Sequence, residues 1–283
     1  MTAPSTQPVW FITGCSTGFG RELTQHLLQA GYRVVATARR HEQVAEWAER
    51  YPDQALTLAL DVTEPSQVQA AVTAAEARFG RIDVLVNNAG IGYFGALEES
   101  DEAEVRRMFE INVWGLTAMT RAVLPGMRQR RAGSIVNLSS VGGLVAFPSL
   151  SFYNASKFAV EALSESLAQE VSPLGIRVLL IEPGPFRTDW AGRSAGQTAT
   201  VMDDYAATVG ARLEAIRGYS GQQPGDPVRA AAAIVQAVEA EDAPLRLLLG
   251  EVAVGTARRK LHKMIEEIDA WEAVSLATDF PKD

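Results

Sequence analysis

The stretch VWFITGCSTGFGRELTQHLLQAG, residues 9–31, contains a short apolar run, a glycine-rich loop and a segment with helical spacing. The run 9–13 is typical of a buried β-strand, and Gly31 is a stop signal for a helix over 19–31. A strand that passes through glycines into a helix presents backbone N–H groups and the positive end of a helix dipole to an anion. The stretch therefore predicts an α/β unit with a phosphate site at residues 13–20. The alternative is a glycine-rich turn that only connects a strand to a helix.

The alternation of apolar runs and helical segments continues along the chain. Strands are predicted at 32–39, 56–62, 83–90, 133–140, 176–184 and 245–250, and helices at 65–80, 102–127, 152–171 and 257–274. The strands are continuous apolar runs, which is typical of sheets covered on both faces. We therefore predict an α/β fold, a Rossmann-type doubly wound parallel sheet of about seven strands with helices on both faces.

No linker interrupts this alternation, so the 283 residues are predicted to form a single domain over 1–283. Residues 186–225 break the rhythm, because they are rich in Gly, Ala, Ser and Thr. Long irregular stretches of this kind are often lids or binding loops, so we interpret them as a substrate-loop insertion. Residues 255–283 are predicted to form a C-terminal helical extension.

The composition excludes several classes of protein. A net charge of −8 with no basic stripe argues against a nucleic-acid partner. Cys15 is the only cysteine, so no internal disulfide can form, and the three histidines are scattered without metal-ligand spacing. The N-terminal residues 1–8 lack the pattern of a secretory signal, and no apolar run is long enough to span a membrane. We expect no metal site, no membrane partner and a cytoplasmic location.

The end of the second predicted strand bears on the choice of a dinucleotide. NAD-type sites usually carry an acidic residue there, about 20 residues after the glycines, to bind the ribose 2′-hydroxyl. Here the strand ends with Thr37 and Ala38, followed by Arg39 and Arg40. A guanidinium suits a 2′-phosphate. We therefore predict that NADP(H) is preferred through Arg39, with Arg40 as a second candidate; NAD(H) and a solvated basic turn are the alternatives.

A tyrosine and a lysine share a helical face in SFYNASKFAVEAL, residues 151–163. Free phenol and free lysine titrate at about 10 and 10.4, so neither exchanges protons readily near neutral pH. A positive charge beside a phenol lowers the phenol's pKa. The pair Tyr153 and Lys157 therefore predicts a phenol whose pKa the lysine lowers.

Seven motifs occur in order, each in its expected strand or helix context. They are TGCSTGFG (13–20), DV (61–62), NNAG (87–90), Asn112 in EINVWG, SS (139–140), YNASK (153–157) and PGPFRT (183–188). In these motifs the sequence resembles the short-chain dehydrogenase/reductase family, in its compact single-domain branch, over roughly residues 8–250. It looks most like members related to hydroxysteroid and retinol dehydrogenases.

The resemblance implies an Asn–Ser–Tyr–Lys active site. Tyr153 and Lys157 match the family's tyrosine and lysine, and Asn112 matches its asparagine. The family places the serine 13 residues before the tyrosine, which selects Ser140 over Ser139. Tyr153 would act as general acid/base, Ser140 would orient the substrate oxygen, and Asn112 would hold a water that links Lys157 to solvent.

The resemblance also implies which residues line the cofactor and the substrate. The cofactor-binding residues would be Gly14, Ser16, Thr17, Gly18, Phe19, Gly20, Arg39, Asp61, Val62, Asn88, Ala89, Gly90, Tyr153, Lys157, Pro183, Gly184, Phe186 and Thr188. The substrate would contact Ser140, Gly142, Phe147, Tyr93 and Trp190. Asn87 would instead stabilise the central sheet, and Cys15 is interpreted as a buried filler.

The implied reaction is hydride transfer between NADP(H) and a carbonyl/alcohol pair. The predicted lining is apolar and aromatic, with only Arg187 and Arg193 as basic residues in range, so a hydrophobic ketone, aldehyde or alcohol is expected. One alternative is a biosynthetic ketoreductase with a polar or carrier-bound substrate, which would favour basic residues at the pocket mouth. Another is an NADP-sensing regulator without activity. The family implies a homodimer or homotetramer, built on the helices at 102–127 and 152–171.

Overall fold

The computed structural model describes residues 7–192 and 194–280. The strands of its main sheet are β1 (Val9–Ile12), β2 (Arg33–Ala38), β3 (Ala55–Ala59), β4 (Val84–Asn87), β6 (Gly133–Leu138), β7 (Ile176–Pro183) and β9 (Arg246–Leu249). All seven run parallel, in the order β3-β2-β1-β4-β6-β7-β9. The predicted doubly wound parallel sheet is confirmed. The single-domain organisation over 1–283 stays a prediction, since residues 1–6, 193 and 281–283 lie outside the described ranges.

Both faces of the sheet are covered by helices. The helices of the described ranges are α1 (Gly18–Gln29), α2 (Ala45–Arg50), α3 (Pro65–Phe79), α4 (Glu102–Phe109), α5 (Leu116–Arg130), α6 (Ser151–Val171), α7 (Ala211–Gly218), α8 (Pro227–Glu239) and α9 (Glu251–Leu276). Alternate residues of a strand point to opposite faces. Trp10 and Ile12 of β1 therefore join a core with α1, α2 and α8, while Val9 and Phe11 join a second core with α3, α5 and α6.

The strand order reverses beside β1. From β1 the chain moves outward to β2 and β3, and then returns to place β4 on the other side of β1. In such sheets, ligands bind in the crevice beyond the carboxyl ends of the strands at this point of reversal. The loops that follow β1 and β4 therefore form the predicted crevice.

The predicted helix over 102–127 differs from the observed structure. It is split into α4 and α5 by a π-helical turn, Glu110–Gly115, and α5 continues past Pro125 to Arg130. The tertiary contacts account for the turn. Gly115 packs so closely on the next layer that a Cβ there would lie 2.5 Å from Cγ2 of Val62. Such an insertion depends on contacts across the fold, which helical periodicity does not reveal.

Residues 186–225 contain more structure than predicted. They include α7 and a short strand, β8 (Ala195–Gln197), which pairs in parallel with β5 (Gly92–Phe94) in a second sheet. Helix α8 was not among the predicted helices. The sequence does mark its start, since Asp at the N-cap followed by Pro at the first helical position is typical of a helix N-terminus. In the structure the Asp226 side chain accepts a hydrogen bond from the Val228 N–H at 2.8 Å, and Pro227 occupies the first helical position.

Candidate active site

The glycine loop after β1 lies against the segment after β4. Gly14 and Gly18 adopt positive φ angles of 72° and 59°. A Cβ added to Gly14 would lie 2.9 Å from Cα of Ala89, and one added to Gly20 would lie 2.4 Å from Nδ2 of Asn88. Glycine is therefore required at positions 14 and 20 for the two segments to approach each other.

Hydrogen bonds tie these two segments together. The Nδ2 group of Asn88 donates to the carbonyl oxygens of Thr13 and Gly14, at 2.8 Å each. The hydroxyl oxygen of Thr13 accepts from the backbone N–H groups of Asn88 and Ala89, at 3.0 Å each. Asn88 was predicted to line the cofactor cleft, and in the structure its amide also fixes the shape of the glycine loop.

The N-terminus of α1 is open to an anion. Thr17, the N-cap, is extended and its side chain makes no capping hydrogen bond, and the first turn contains no acidic residue. The first N–H groups of the helix are therefore available, and the helix dipole favours negative charge there. This arrangement, together with the close-packed glycines, fits the pyrophosphate of a dinucleotide.

The PGPFRT segment after β7 faces the glycine loop. A Cβ added to Gly18 would lie 3.5 Å from Cβ of Thr188, and the rings of Phe19 and Phe186 pack edge to face with centroids 5.1 Å apart. Pro183 ends β7, and the N–H of Gly184 donates to the carbonyl oxygen of Leu249 at 3.0 Å. The three predicted cofactor segments therefore converge at the carboxyl end of the sheet.

The residues predicted to contact the adenosine half lie at the ends of β2 and β3. Arg39 is exposed directly after β2, and among the described residues it forms no ion pair. Arg40 is also exposed, but its Nε lies 3.7 Å from a carboxylate oxygen of Glu42. The Asp61 carboxylate accepts from the N–H and hydroxyl of Thr63, at 3.0 and 2.8 Å. Val62 is buried, so its side chain belongs to the core.

Tyr153 and Lys157 lie one turn apart on α6, and both are buried. Nζ of Lys157 donates to the carbonyl oxygen of Leu138 at 2.7 Å and lies 5.9 Å from the centroid of the Tyr153 ring. The side chain of Ser140 hydrogen-bonds to Tyr153 and also accepts from the N–H of Gly142 at 3.0 Å. The structure thus brings Ser140, Tyr153 and Lys157 together.

The two neighbouring serines differ in their surroundings. Ser139 is buried, and its hydroxyl has no hydrogen-bond partner among the described residues. It lies on the side of Gly143, where an added Cβ would be 2.6 Å from Oγ of Ser139. Only Ser140 contacts Tyr153 through a side-chain hydrogen bond.

Burial changes the pKa values of both Tyr153 and Lys157 in the protein without its cofactor. It raises the pKa of Tyr153 to about 12, and the hydrogen bond from Ser140 acts in the opposite direction. Burial lowers the pKa of Lys157 to about 8, while the nearby carboxylate of Glu161 raises it. The prediction that Lys157 and a bound oxidised nicotinamide together lower the pKa of the phenol concerns the protein with its cofactor, so it stays a prediction.

Asn112 is the central residue of the π-helical turn, and its side chain is fully engaged. Its Oδ1 accepts from the N–H of Ile91, and its Nδ2 donates to the carbonyl oxygen of Ile91, each at 2.9 Å. Nδ2 also lies 3.1 Å from Oγ of Ser156. Asn112 lies close to Gly90, where an added Cβ would be 3.2 Å from its Oδ1 and 3.8 Å from Nζ of Lys157. The amide thus holds the segment after β4 beside α6.

Rings fill the region next to Tyr153. The ring of Trp190 lies 5.0 Å from that of Tyr153 and 5.4 Å from that of Phe94, measured between centroids. We call Phe94, Tyr153 and Trp190 the aromatic layer. Phe94 lies in the segment GYFG (92–95), which the sequence predicts as candidate substrate lining with Tyr93 as the named contact, because nothing local indicates which residue of a short strand points inward.

The other predicted substrate residues have different positions. Gly142 lies against Tyr153, since a Cβ there would be 3.3 Å from Cε1 of its ring. Phe147 packs against the same apolar cluster as the aromatic layer. Tyr93 is buried, and its hydroxyl accepts from the N–H of Asp101 at 3.0 Å. Tyr93 therefore stabilises the start of α4.

Two arginines that the sequence analysis missed lie over aromatic rings of this region. The guanidinium carbon of Arg217 is 5.4 Å from the centroid of Phe94, and that of Arg212 is 5.2 Å from the centroid of Phe147. Both come from α7, which was predicted to be irregular. Of the basic residues that were considered, Arg187 donates to the carbonyl oxygen of Gln223 at 2.7 Å, and Arg193 lies outside the described residues.

A group of ionisable residues lies behind Lys157. We call Glu161, Glu165, Glu182 and Arg246 the Arg246 cluster. Arg246 lies 3.1 Å from carboxylate oxygens of Glu161 and Glu165 and 3.4 Å from one of Glu182. Glu182 is completely buried, and burial together with the Glu161 carboxylate raises its pKa to about 8.

A cavity of about 310 Å³ borders the apolar cluster that contains the aromatic layer. Its lining includes Met202, Tyr205, Val209 and Leu213. Val209 and Leu213 belong to the same cluster as Tyr153. A more open cavity of about 710 Å³ lies between Phe186 and α8. Tyr153 lines neither of them.

The described residues contain no group of three His, Cys, Asp or Glu side chains placed to hold a metal ion. None of their helices has the length and apolarity needed to cross a membrane.

Comparisons with known proteins agree with this fold. The family model described as short chain dehydrogenase matches residues 8–198. The chain is 40% identical over 271 residues to Oxidoreductase BOA17 of Botryotinia fuckeliana, covering 95% of this chain and 98% of that protein. It is 39% identical to 3-ketodihydrosphingosine reductase of Bacteroides thetaiotaomicron, covering 84% and 86%. It is 37% identical to human Retinol dehydrogenase 8, covering 83% and 79%.

Solved structures show the same fold. A short-chain dehydrogenase from Streptomyces avermitilis superposes with a TM-score of 0.90 at 44% identity, covering 96% of this chain and all 100% of that one. A short-chain dehydrogenase/reductase from Burkholderia phymatum, in complex with NAD, gives a TM-score of 0.79 at 27% identity, covering 92% and 94%. Serine dehydrogenase complexed with NADP⁺ gives 0.74 at 26% identity, covering 85% and 94%.

The fold and the converging loops define an oxidoreductase of the NAD(P)-binding Rossmann class. The chain belongs to the short-chain dehydrogenase/reductase family. The resemblance seen in the motifs is thereby confirmed.

Proposed function

We propose that this enzyme interconverts a hydrophobic ketone or aldehyde and the corresponding alcohol with NADP(H), and that Tyr153 is the general acid/base. The observation that carries the proposal is the setting of Tyr153. Its phenol contacts Ser140 and lies beside Lys157, while the ring of Trp190 covers it at 5.0 Å. A proton donor is thus placed inside an apolar surface at the crevice where the cofactor segments converge.

The side chains of the protein donate or accept one proton in the reaction. The reduced nicotinamide, when bound, supplies the hydride, and the oxidised nicotinamide carries a positive charge. With a pKa near 12, the phenol of Tyr153 is protonated at neutral pH and can donate to a carbonyl oxygen. Ser140 donates to the same oxygen and keeps it near the phenol. Lys157, whose pKa is about 8, is charged at neutral pH and stabilises the phenolate that remains.

Alcohol oxidation makes the opposite demand on Tyr153, because the phenolate must accept a proton. In the free protein this form is costly, since burial raises the phenol's pKa. Lys157 and an oxidised nicotinamide together would have to offset that cost. We therefore infer that reduction is the easier direction at neutral pH and that oxidation accelerates as the pH rises.

The choice of a hydrophobic substrate rests on the apolar surroundings of Tyr153. The aromatic layer covers the phenol, and the cavity of about 310 Å³ beside Val209 and Leu213 offers space for an apolar tail. The choice of NADP(H) rests on Arg39, which is exposed after β2 and carries no partner that would compete with a 2′-phosphate within the described residues. Solved relatives carry NAD in one case and NADP⁺ in another, so kinetics with both cofactors test the preference.

A kinetic panel tests the proposal. The purified enzyme is assayed with NADPH and NADH against long-chain and short-chain ketones, aldehydes and their polar counterparts. We expect kcat/KM to be at least about 10-fold higher with NADPH and to rise with the apolar length of the substrate. A preference for NADH would contradict the cofactor assignment, and a preference for short polar substrates would contradict the substrate class.

A carrier-bound substrate is the second candidate, and a specific observation favours it. Arg212 and Arg217 are exposed and lie over Phe147 and Phe94, so positive charge does stand beside the aromatic region. A thioester on an anionic carrier would use both features. If the substrate is carrier-bound, 3-oxoacyl-coenzyme A will be reduced faster than the free ketone of the same chain length, and raising the salt concentration will remove the difference.

We also propose that the enzyme is a cytoplasmic homodimer or homotetramer through the exposed faces of the π-helical turn and α6. Large apolar residues are exposed there, namely Trp114, Phe158 and Leu163. Burial of such residues against a symmetric copy is a common way for soluble enzymes to assemble. Sedimentation of the wild type and of Phe158→Glu tests this, since the variant should have a lower mass.

A further inference from the structure

The last helix leaves the body of the protein after two turns. Ala253 and Ala257 of α9 are buried, whereas every residue from Leu261 to Phe280 is exposed. The helix runs to Leu276, so about 19 residues, or about 28 Å at 1.5 Å per residue, extend beyond the last buried position. A helix of this length with no tertiary contact has little stability of its own in water.

The extending part of α9 carries a continuous apolar stripe. Leu261, Met264, Ile268 and Trp271 follow the buried Ala257 at intervals of four, three, four and three residues. Their exposed fractions are 54%, 42%, 63% and 66%. This 3.5-residue period is the a/d pattern of a coiled-coil seam. The stripe that faces the protein body at Ala257 therefore continues outward as a seam with no partner among the described residues.

The charges beside this seam are sorted by sign along the helix. Residues 258–263 contain four Lys or Arg and no acidic residue, whereas residues 264–272 contain four Asp or Glu and no basic residue. Two copies placed in parallel would bring like charges together. Two antiparallel copies bring the basic half of each helix against the acidic half of the other. Their helix dipoles are then also antiparallel, which is the favourable side-by-side arrangement.

We propose that α9 pairs with α9 of a second copy of this chain in an antiparallel two-helix coiled coil. A two-fold axis near Glu266 stacks Leu261 on the partner's Trp271 and Met264 on the partner's Ile268. The same register places Arg258 beside the partner's Glu272. This interface is separate from the faces of the π-helical turn and α6, so together they would link dimers into a tetramer.

The charge pattern decides against a membrane as the occupant. Glu267 and Glu272 border the outer half of the seam, and a membrane surface that carries anionic lipids would repel them. A lipid-binding helix usually has basic residues along its whole polar face, whereas here they are confined to residues 258–263.

The first test measures mass by sedimentation of the full-length protein. Ile268→Lys places a charge in the seam, and Ala270→Lys adds the same charge on the opposite face of the same helix turn. We expect Ile268→Lys to halve the mass and Ala270→Lys to leave it unchanged. Enzymatic activity in both variants checks that the fold is intact.

The second test fixes the orientation by crosslinking. Cys15 is buried, so an introduced cysteine is the reactive one. In the proposed register Ile265 lies almost on the two-fold axis, whereas the two copies of Leu261 are about 15 Å apart along the helices. Mild oxidation should therefore give a disulfide-linked dimer with Ile265→Cys but not with Leu261→Cys. Adding Ile268→Lys to Ile265→Cys should abolish the crosslink.

The third test exchanges charges. Arg258→Glu and Glu272→Arg should each lower the association constant, and the double variant should restore it, because each new charge again faces its opposite. The proposal is overturned if Ile265→Cys gives no linked dimer or if Leu261→Cys crosslinks equally well. It is also overturned if the wild type binds phosphatidylcholine/phosphatidylserine vesicles and Ile268→Lys abolishes only that binding.

Discussion

The glycine loop leaves no room for side chains at Gly14 and Gly20, whereas the region beside Tyr153 is filled with rings. In the loop, backbone lies on backbone: a Cβ added to Gly14 would lie 2.9 Å from Cα of Ala89, and one added to Gly20 would lie 2.5 Å from the carbonyl oxygen of Gly14. In the aromatic layer, three side chains from distant segments pack with centroids 5.0 and 5.4 Å apart. The glycine loop therefore has no space for an added side-chain atom, whereas the shape of the aromatic layer is made by its side chains.

This difference has a consequence for function. A backbone-built loop can bind the same anion in many enzymes, because its contacts do not depend on side-chain identity. A ring-built surface changes its shape with every substitution, so it can select a substrate. We expect changes at the loop to affect cofactor binding for all substrates, and changes at the aromatic layer to affect some substrates more than others.

The largest effect is expected from Tyr153→Phe, which keeps the ring of the aromatic layer and removes its proton donor. Loss of a general acid typically lowers kcat by about 100- to 10,000-fold. We expect such a loss, with an unchanged dissociation constant for NADPH measured by fluorescence titration.

The control is Tyr93→Phe, the same chemical change at a buried tyrosine of the same apolar cluster. It removes the hydrogen bond from Asp101 and should cost about 1 kcal/mol of stability while kcat stays within a few-fold. Near-normal turnover by Tyr153→Phe would show that another group donates the proton.

Gly20→Ala tests the backbone-built side of the comparison. The new Cβ would meet Nδ2 of Asn88 at 2.4 Å and the carbonyl oxygen of Gly14 at 2.5 Å. Overpacking of this kind costs about 1–3 kcal/mol, so we expect the dissociation constant for NADPH to rise by about 5- to 150-fold.

Gly218→Ala serves as its control, because nothing lies within 4 Å of a Cβ at that position. Isothermal titration of both variants checks the result. Equal affinities would mean that the loop and the segment after β4 can separate without loss of binding.

Arg39→Ala tests a side chain at the edge of the cofactor crevice. We expect the ratio of kcat/KM with NADPH to that with NADH to fall by about 10-fold, through loss of a charge pair with the 2′-phosphate. Arg40→Ala should have a smaller effect, since Glu42 lies 3.7 Å from that guanidinium. An unchanged ratio in both variants would leave the basic turn without a role in cofactor choice.

The smallest effect is expected behind the site, in the Arg246 cluster. The pKa of Glu182 is raised from 4.5 to about 8, so the folded state binds more protons than the unfolded state between these values. Stability from this group is complete below pH 4.5 and is lost as the pH rises towards 8. Glu182→Gln cannot ionise, so it does not lose stability in this way. Its free energy of unfolding, relative to that of the wild type, should increase by at least about 1 kcal/mol between pH 5 and pH 8.

Urea unfolding at the two pH values measures this difference. Glu165→Gln is the control, because Glu165 also contacts Arg246 but its side chain is 55% exposed. A gain of the same size in both variants would show that the effect comes from Arg246 and not from the titration of Glu182.

Much of the fold was predictable from local pattern. The strands of the main sheet are apolar runs that end at glycines or polar motifs, and their period and length suffice to place them. The helix α8 was missed, although Asp226 and Pro227 mark its start. The π-helical turn could not be predicted, because it depends on the contacts of Gly115 and Asn112 with segments far away in the sequence.

The same division holds at the site. Motifs placed Ser140, Tyr153 and Lys157, and the structure brings them together. The motifs did not show that burial raises the pKa of Tyr153 in the free protein, because burial depends on what packs around the phenol. Arg212 and Arg217 were missed for the same reason, since no local pattern shows that they meet the site.

The sequence by itself determined the backbone of this enzyme: the parallel sheet, the glycine loop and the order of the segments that form the crevice. These follow from periodicity and from positions where a side chain is absent, both of which are local properties. Only the tertiary structure decided which residues surround Tyr153 and therefore the pKa of its phenol. Desolvation and ring packing depend on residues that are distant along the chain, and folding alone brings them together.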